Sequence, residues 1–188
     1  LMPYYKMRLN IDKNIRFYKK DFLLVTSQFI IILLHFIKIN LFNQKLIQGE
    51  YLIINYITYF LIILSLILII FSVKDLGKSL SPMPRPKENS KLITNGIYSA
   101  IRHPMYYSLI IISYSLFIKS FTIYNLILSI LLTFIISYKI KLEEEYLIKK
   151  FNKYTLYKKE VKIWFMNINN INLKNGLSLI EASAGTGK

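Results

Sequence analysis

The sequence predicts an all-α protein, a polytopic membrane bundle of about four transmembrane helices followed by an amphipathic interfacial helix. Three observations carry this. Apolar residues make up 54% of the 188-residue chain although its formal net charge is +15. Charge and apolar residue are separated in blocks, whereas a soluble basic nucleic-acid binder spreads its charge over amphipathic segments. The basic residues are also one-sided: 22 of the 25 Lys and Arg fall on one face of a four-span arrangement and three on the other. The positive-inside rule then puts both termini and the 74–102 loop in the cytoplasm.

Four stretches contain no Asp, Glu, Lys or Arg: Phe22–Ile37, Tyr51–Val73, His103–Ile118 and Ser120–Tyr138, of 16, 23, 16 and 19 residues. A spanning helix needs about 20 apolar residues, within a range of roughly 17–25. The second and fourth qualify directly. The first qualifies if Lys38 snorkels and Ile39 is counted. The third is short enough to be tilted or only partly spanning. A long polar start, with no small-residue cleavage site after the first apolar run, argues against a signal peptide.

Between the second and third spans lies KDLGKSLSPMPRPKENSKLITNGIYSAIRHP. Alternating Pro82, Pro84 and Pro86 favour an extended path and exclude a helix there, and Asn95-Gly96 signals a turn. An ordered loop of this length is often functional. Lys119-Ser120 leaves room only for a tight hairpin between the third and fourth spans. The fourth then runs without a breaker into KIKLEEEYLIKKFNKYTLYKKEV, where Leu142, Tyr146, Ile148, Phe151 and Tyr154 recur near helical spacing. That pattern predicts a helix leaving the bilayer and lying along its surface.

Composition excludes much chemistry. With no cysteine there are no disulfides, iron–sulfur clusters, zinc thiolates or catalytic thiols. The two histidines, His35 and His103, are too far apart for a paired-histidine metal site, so no metal is expected. His35 reads as an interfacial or packed histidine. No G-x-G-x-x-G turn is present, which removes a Rossmann-type nucleotide site.

Two polar clusters reach the same interface. Tyr98, Arg102, His103 and Tyr106 stand at the start of the third span, and Glu143, Glu144 and Glu145 at the end of the fourth. The first reads either as a helix cap with a topology signal or as a polar site. The second reads either as a solvated helix turn or as that site's acidic half. Tight antiparallel pairing of the two spans brings both to one depth, which favours a site.

The words LGKSLSPMPRP, NGIYSAIRHPMY and Glu-Glu-x-x-Leu-x-x-x-Phe, with a following tyrosine pair and Val161, resemble the isoprenylcysteine carboxyl methyltransferase and phospholipid methyltransferase family of integral membrane enzymes. The likeness runs from Asp75 to Val161 and is nearest to bacterial members. It implies S-adenosylmethionine bound at the cytoplasmic membrane face. By position, His103, Pro104 and Tyr106 would contact the cofactor, Glu143 and Glu144 would hold its amino or ribose groups, and Gly96 and Tyr98 would shape the loop over it. Arg102 would hold its carboxylate or the acceptor, and Arg102 and Glu144 are the catalytic candidates. Which of Glu143, Glu144 and Glu145 touches the cofactor stays open. The implied acceptor is lipophilic, an isoprenylcysteine-like carboxylate being favoured over a phospholipid amine or a small thiol or acid. Membrane lipids are the other expected partners. A non-catalytic membrane scaffold binding anionic lipid is the reading from a different class. The chain departs from the family pattern at Ile97, Ser108 and Asn152.

Residues 1–165 form the expected methyltransferase domain, with its catalytic region at 75–161, and 166–188 form a foreign or truncated tail. Its LIEASAGTGK resembles the start of the exodeoxyribonuclease V beta-subunit helicase. Ala182 takes the first glycine position of the phosphate loop, and no Ser or Thr follows Lys188. No nucleic-acid partner is expected from it.

Overall fold

The computed structural model describes residues 19–37 and 52–161, so the expectations for the 166–188 tail, Lys38 and the first 18 residues lie outside the described residues. Among the described residues the fold is all-α, with no strand. We number the helices α1 (residues 19–34), α2 (Leu52–Leu76), α3 (Pro104–Ser120), α4 (Ile123–Lys150) and α5 (Tyr154–Glu160). Short 3₁₀ turns cover Gly77–Ser79 and Gly96–Ser99.

Among the described residues two helices, rather than the four expected, are long and apolar enough by themselves to cross a membrane: Leu52–Ser79 and Ile123–Lys150. At 1.5 Å per residue, the 28-residue α4 is about 42 Å long, against about 30 Å for the hydrocarbon core. Its charge-free part ends at Tyr138, so its last three turns project beyond the apolar layer. The 17 residues of α3 reach only about 26 Å.

Helix order follows from local chemistry. Pro104 opens α3, where its missing N–H costs nothing. At the far end, the left-handed Phe121 (φ 47°) closes α3 with a 2.7 Å bond to the Phe117 carbonyl. The Thr122 hydroxyl then caps α4 by accepting from the Asn125 N–H at 3.3 Å. The tight hairpin is therefore Phe121-Thr122, two residues beyond the expected place. It makes α3 and α4 antiparallel.

On α2 the buried positions Thr58, Ser65 and Ser72 recur every seven residues, and this helix packs most extensively on α3. Ser65 and Ser72 return their hydroxyls to their own helix, at the Leu61 and Leu68 carbonyls, so small side chains let two backbones approach. The other face of α2, with Leu52, Ile53, Tyr56, Phe60 and Ile63 exposed, is what a lipid-facing helix presents.

The main core joins α1, α3 and α4 through Ile31, Tyr107, Ile110, Leu128, Leu132 and Ile136. A polar pin stands beside it. His35 donates from Nδ1 to the Ile31 carbonyl at 2.9 Å, which leaves Nε2 to accept from the Ser113 hydroxyl at 2.9 Å. His35 is thus a packed histidine with both ring nitrogens satisfied. A second, smaller cluster of Tyr154, Tyr157 and Val161 packs on Leu92, Leu147 and Phe151 at the projecting end of α4.

The amphipathic helix predicted after the fourth span is divided. Phe151 turns extended (φ −124°, ψ 107°) and three residues later α5 begins. The break folds Tyr154 and Tyr157 inward, where they are buried against the loop rather than lying on a surface. No Gly or Pro marks the break. Tertiary burial of two large rings decides it.

Candidate active site

A cleft opens where the projecting end of α4, α5, the start of α3 and the proline-rich loop meet. It encloses about 80 Å³. Its polar wall is Tyr98, Arg102, His103 and Glu143, and its apolar wall includes Leu76, Met83, Leu92, Leu147 and Phe151.

The loop forms the roof. Pro84 is fully buried and lines the cleft with Pro86. The ammonium of Lys150, at the end of α4, latches the roof through the main-chain carbonyls of Lys87 and Glu88 (2.8 Å for Glu88) and the Ser90 hydroxyl at 3.0 Å. A second tie runs from Arg85 to Asp21 of α1, at 3.7 Å.

Gly96 sits behind the site rather than in its wall. Its φ of +61° suits glycine, and a Cβ there would lie 2.0 Å from the Asp75 carboxylate. That carboxylate accepts from the Ile97 N–H at 2.8 Å, docking the Gly96–Ser99 turn onto the end of α2. The turn in turn fixes Tyr98, whose carbonyl accepts the Tyr157 hydroxyl at 2.6 Å.

The two central carboxylates have separate surroundings because neighbours on a helix point about 100° apart. Glu144 is buried, and its Oε1 lies 3.3 Å from both Arg102 Nη1 and His103 Nε2. Its Oε2 lies 2.7 Å from Lys158 Nζ of α5. Burial alone would raise this carboxyl, but hydrogen bonds from His103 and Lys158 and the charge of Arg102 outweigh it, bringing it down to about 2. Glu143 turns to the cleft and accepts the Tyr106 hydroxyl at 2.5 Å. Loss of water pushes its carboxyl upward, opposed by His103 and by the Tyr106 bond. The His103 ring stacks on Tyr106, centroids 5.7 Å apart. Glu145 is exposed.

Of the residues singled out in the sequence, Tyr98, Arg102, His103 and Glu143 line the cleft. Pro104, Tyr106 and Glu144 stand one layer behind them and hold their partners in place. Two residues that line the cleft each carry a buried donor without a hydrogen-bond partner, Arg102 Nε and the Tyr154 hydroxyl.

The profile of the phospholipid methyltransferase family matches residues 53–154, more than half of the chain. The chain belongs to that family. Among curated proteins none matches it. The matched stretch contains the roof, the Arg102–His103 corner and both carboxylates, so the cleft wall of this membrane methyltransferase, apart from Tyr157, lies within the family's own region.

Sequence reasoning passed over Lys158, Lys139 and the role of Tyr154 and Tyr157. The tyrosine pair was visible, but its inward folding depends on the α4–α5 break. Lys158 lies in a Lys-Lys-Glu run indistinguishable from a solvated helix face.

Proposed function

We propose that this protein is an S-adenosylmethionine-dependent methyltransferase acting on a lipophilic acceptor at the cytoplasmic face of the membrane. The observation that carries this is the pairing, in one cleft, of unpartnered buried donors with a carboxylate: Arg102 Nε and the Tyr154 hydroxyl against Glu143. Buried donors without partners are rare and call for a ligand or a water. Two donors beside one carboxylate suit an amino-acid zwitterion, whose carboxylate would take the donors and whose ammonium would take Glu143.

When bound, S-adenosylmethionine supplies a methyl group activated by its sulfonium. This chain's residues hold and shield the reactants. Tyr98, Phe151, Tyr154 and Tyr157 offer ring faces, which attract a cation and exclude water. Arg102 presents a planar fork that a lysine lacks. Glu144, held by Arg102, His103 and Lys158, keeps Arg102 and His103 oriented and is a weak base.

An acceptor that is already anionic suits this wall, because Glu144 is occupied and Glu143 is engaged by Tyr106. A lipophilic carboxylate of the isoprenylcysteine kind is therefore favoured. The matched family's own description supports a phospholipid amine as the second reading.

Equilibrium binding of S-adenosylmethionine to detergent-purified protein tests the cofactor assignment. The parent should bind saturably, and Arg102→Lys/His103→Gln should insert and fold normally yet bind roughly ten- to hundredfold more weakly, the equivalent of one charged hydrogen bond at about 1.5–3 kcal/mol. Absence of saturable binding by the parent would leave the scaffold reading. For the acceptor, membrane extract incubated with labelled methyl donor should yield base-labile label if an ester forms. Base-stable label would move the assignment to the amine.

A further inference from the structure

Lys139 is only 2% exposed, lies outside the cleft wall and has no part in the reading above. Its ammonium donates to Gln28 Oε1 of α1 at 3.0 Å and stands 4.9 Å from the centre of the Tyr106 ring. Tyr106 also gives its hydroxyl to Glu143 and stacks with the His103 ring. Lys139 and Glu143 are also four residues apart on one helix face. A chain of contacts thus runs from α1, through Lys139 and Tyr106, to the one carboxylate in the cleft wall. Burying a lone ammonium is costly unless opposing charge or hydrogen bonds compensate it. Here compensation comes from an amide oxygen, a ring face and the nearby carboxylate. An apolar side chain would fill the same space without that cost.

We infer that Lys139 is a positioning residue for the cleft, holding Tyr106 on its ring face and keeping Glu143 ionised and turned toward the ligand. The cation withdraws electron density from the phenol ring and so strengthens the hydroxyl as a donor to Glu143. Its charge also favours the carboxylate over the carboxylic acid. Gln28 fixes the ammonium from α1, outside the stretch that matches the family. This rests on the methyltransferase reading only for its purpose, an anion facing a cationic ligand. The contact chain itself is independent of any ligand.

The test is the titration of Glu143 in the ligand-free protein. Carboxyl-¹³C glutamate is incorporated, the protein is held in detergent micelles, and the Glu143 signal is identified by its loss in Glu143→Gln. The titratable and charged groups around Glu143 are Tyr98 from the Gly96–Ser99 turn, His103 and Tyr106 at the start of α3, Lys139 and Glu144 on its own helix, and Tyr154 from α5. All except Lys139 are kept in Lys139→Met. That variant should move the Glu143 midpoint upward by about one to two pH units, ten- to a hundredfold in its ionisation constant. Gln28→Leu should move it the same way by less. An unchanged midpoint in Lys139→Met with parental unfolding temperature overturns the proposal. Should Lys139→Met not fold, an unchanged midpoint in Gln28→Leu overturns it equally. A second arm measures S-adenosylmethionine affinity, expected to fall about tenfold in Lys139→Met. A parent that titrates as described but binds no S-adenosylmethionine would refute the cofactor reading and leave the positioning role standing.

Discussion

Glu144 takes Arg102, His103 and Lys158 on its two oxygens, and the three differ in what they contribute. The Lys158 side chain is 41% exposed, so water screens its pair, and Lys158→Ala should cost no more than about 1 kcal/mol. Glu144→Ala strands the buried Arg102 charge and should cost about 3–5 kcal/mol, read as thermal unfolding in detergent. The same carboxylate sets an acid limit. Its folded value of about 2 lies below the ordinary 4.5, so its contribution is complete above pH 4.5 and is lost as pH falls toward 2. Glu144→Gln should flatten that acid limb, and an unchanged limb would mean other carboxylates govern it. Arg102, His103, Tyr106, Glu143 and Glu144 were legible because an unusual word precedes one apolar run and an acidic word follows the next. The division between Glu143 and Glu144 was not legible, since adjacent identical residues differ only by the side of the helix they occupy.

At the scale of elements, apolar runs and Pro104 announced the helices well, because a charge-free block and an N1 proline each have one simple structural use. The α4–α5 break was hidden, because burial of Tyr154 and Tyr157 sets it. The roof was foreseen as an ordered, extended segment, yet nothing in its sequence named Lys150 as its latch. Lys150→Met should loosen residues 82–93 without unfolding the bundle, as the latch is a few hydrogen bonds at about 0.5–1.5 kcal/mol each. Faster amide exchange and faster proteolysis there, with an unchanged unfolding temperature for the rest, is the expected pattern. Equal protection in parent and variant would show that Arg85–Asp21 and the buried Pro84 suffice.

For the molecule as a whole, charge placement and helix direction agree. Asp21, Asp75, His103 and Glu144 gather at one end of the bundle, while Tyr59 and Lys119 meet at the other, 3.4 Å apart. The family match starts at residue 53, yet α1 still supplies Ile31 to the core and Gln28 behind the site, and His35 just past its end supplies the polar pin. We expect four membrane passages with both termini cytoplasmic, α1 and α3 being short partners of the two full-length helices. Reporter fusions after Gln48 and after Lys162 should then lie on opposite sides, and the same side for both would refute the arrangement.

The roof is gripped mainly by its main-chain carbonyls, and every residue type carries one. Apart from Pro84, Arg85, Ser90 and Leu92, side chains along 82–93 can therefore change in size and polarity with little effect on how the segment is held. Mutational drift, or a deliberate library, at Met83 and Ile93 would reshape the cleft wall while sparing the anchor. The shape of the cleft wall is thereby open to diversification independently of the fold.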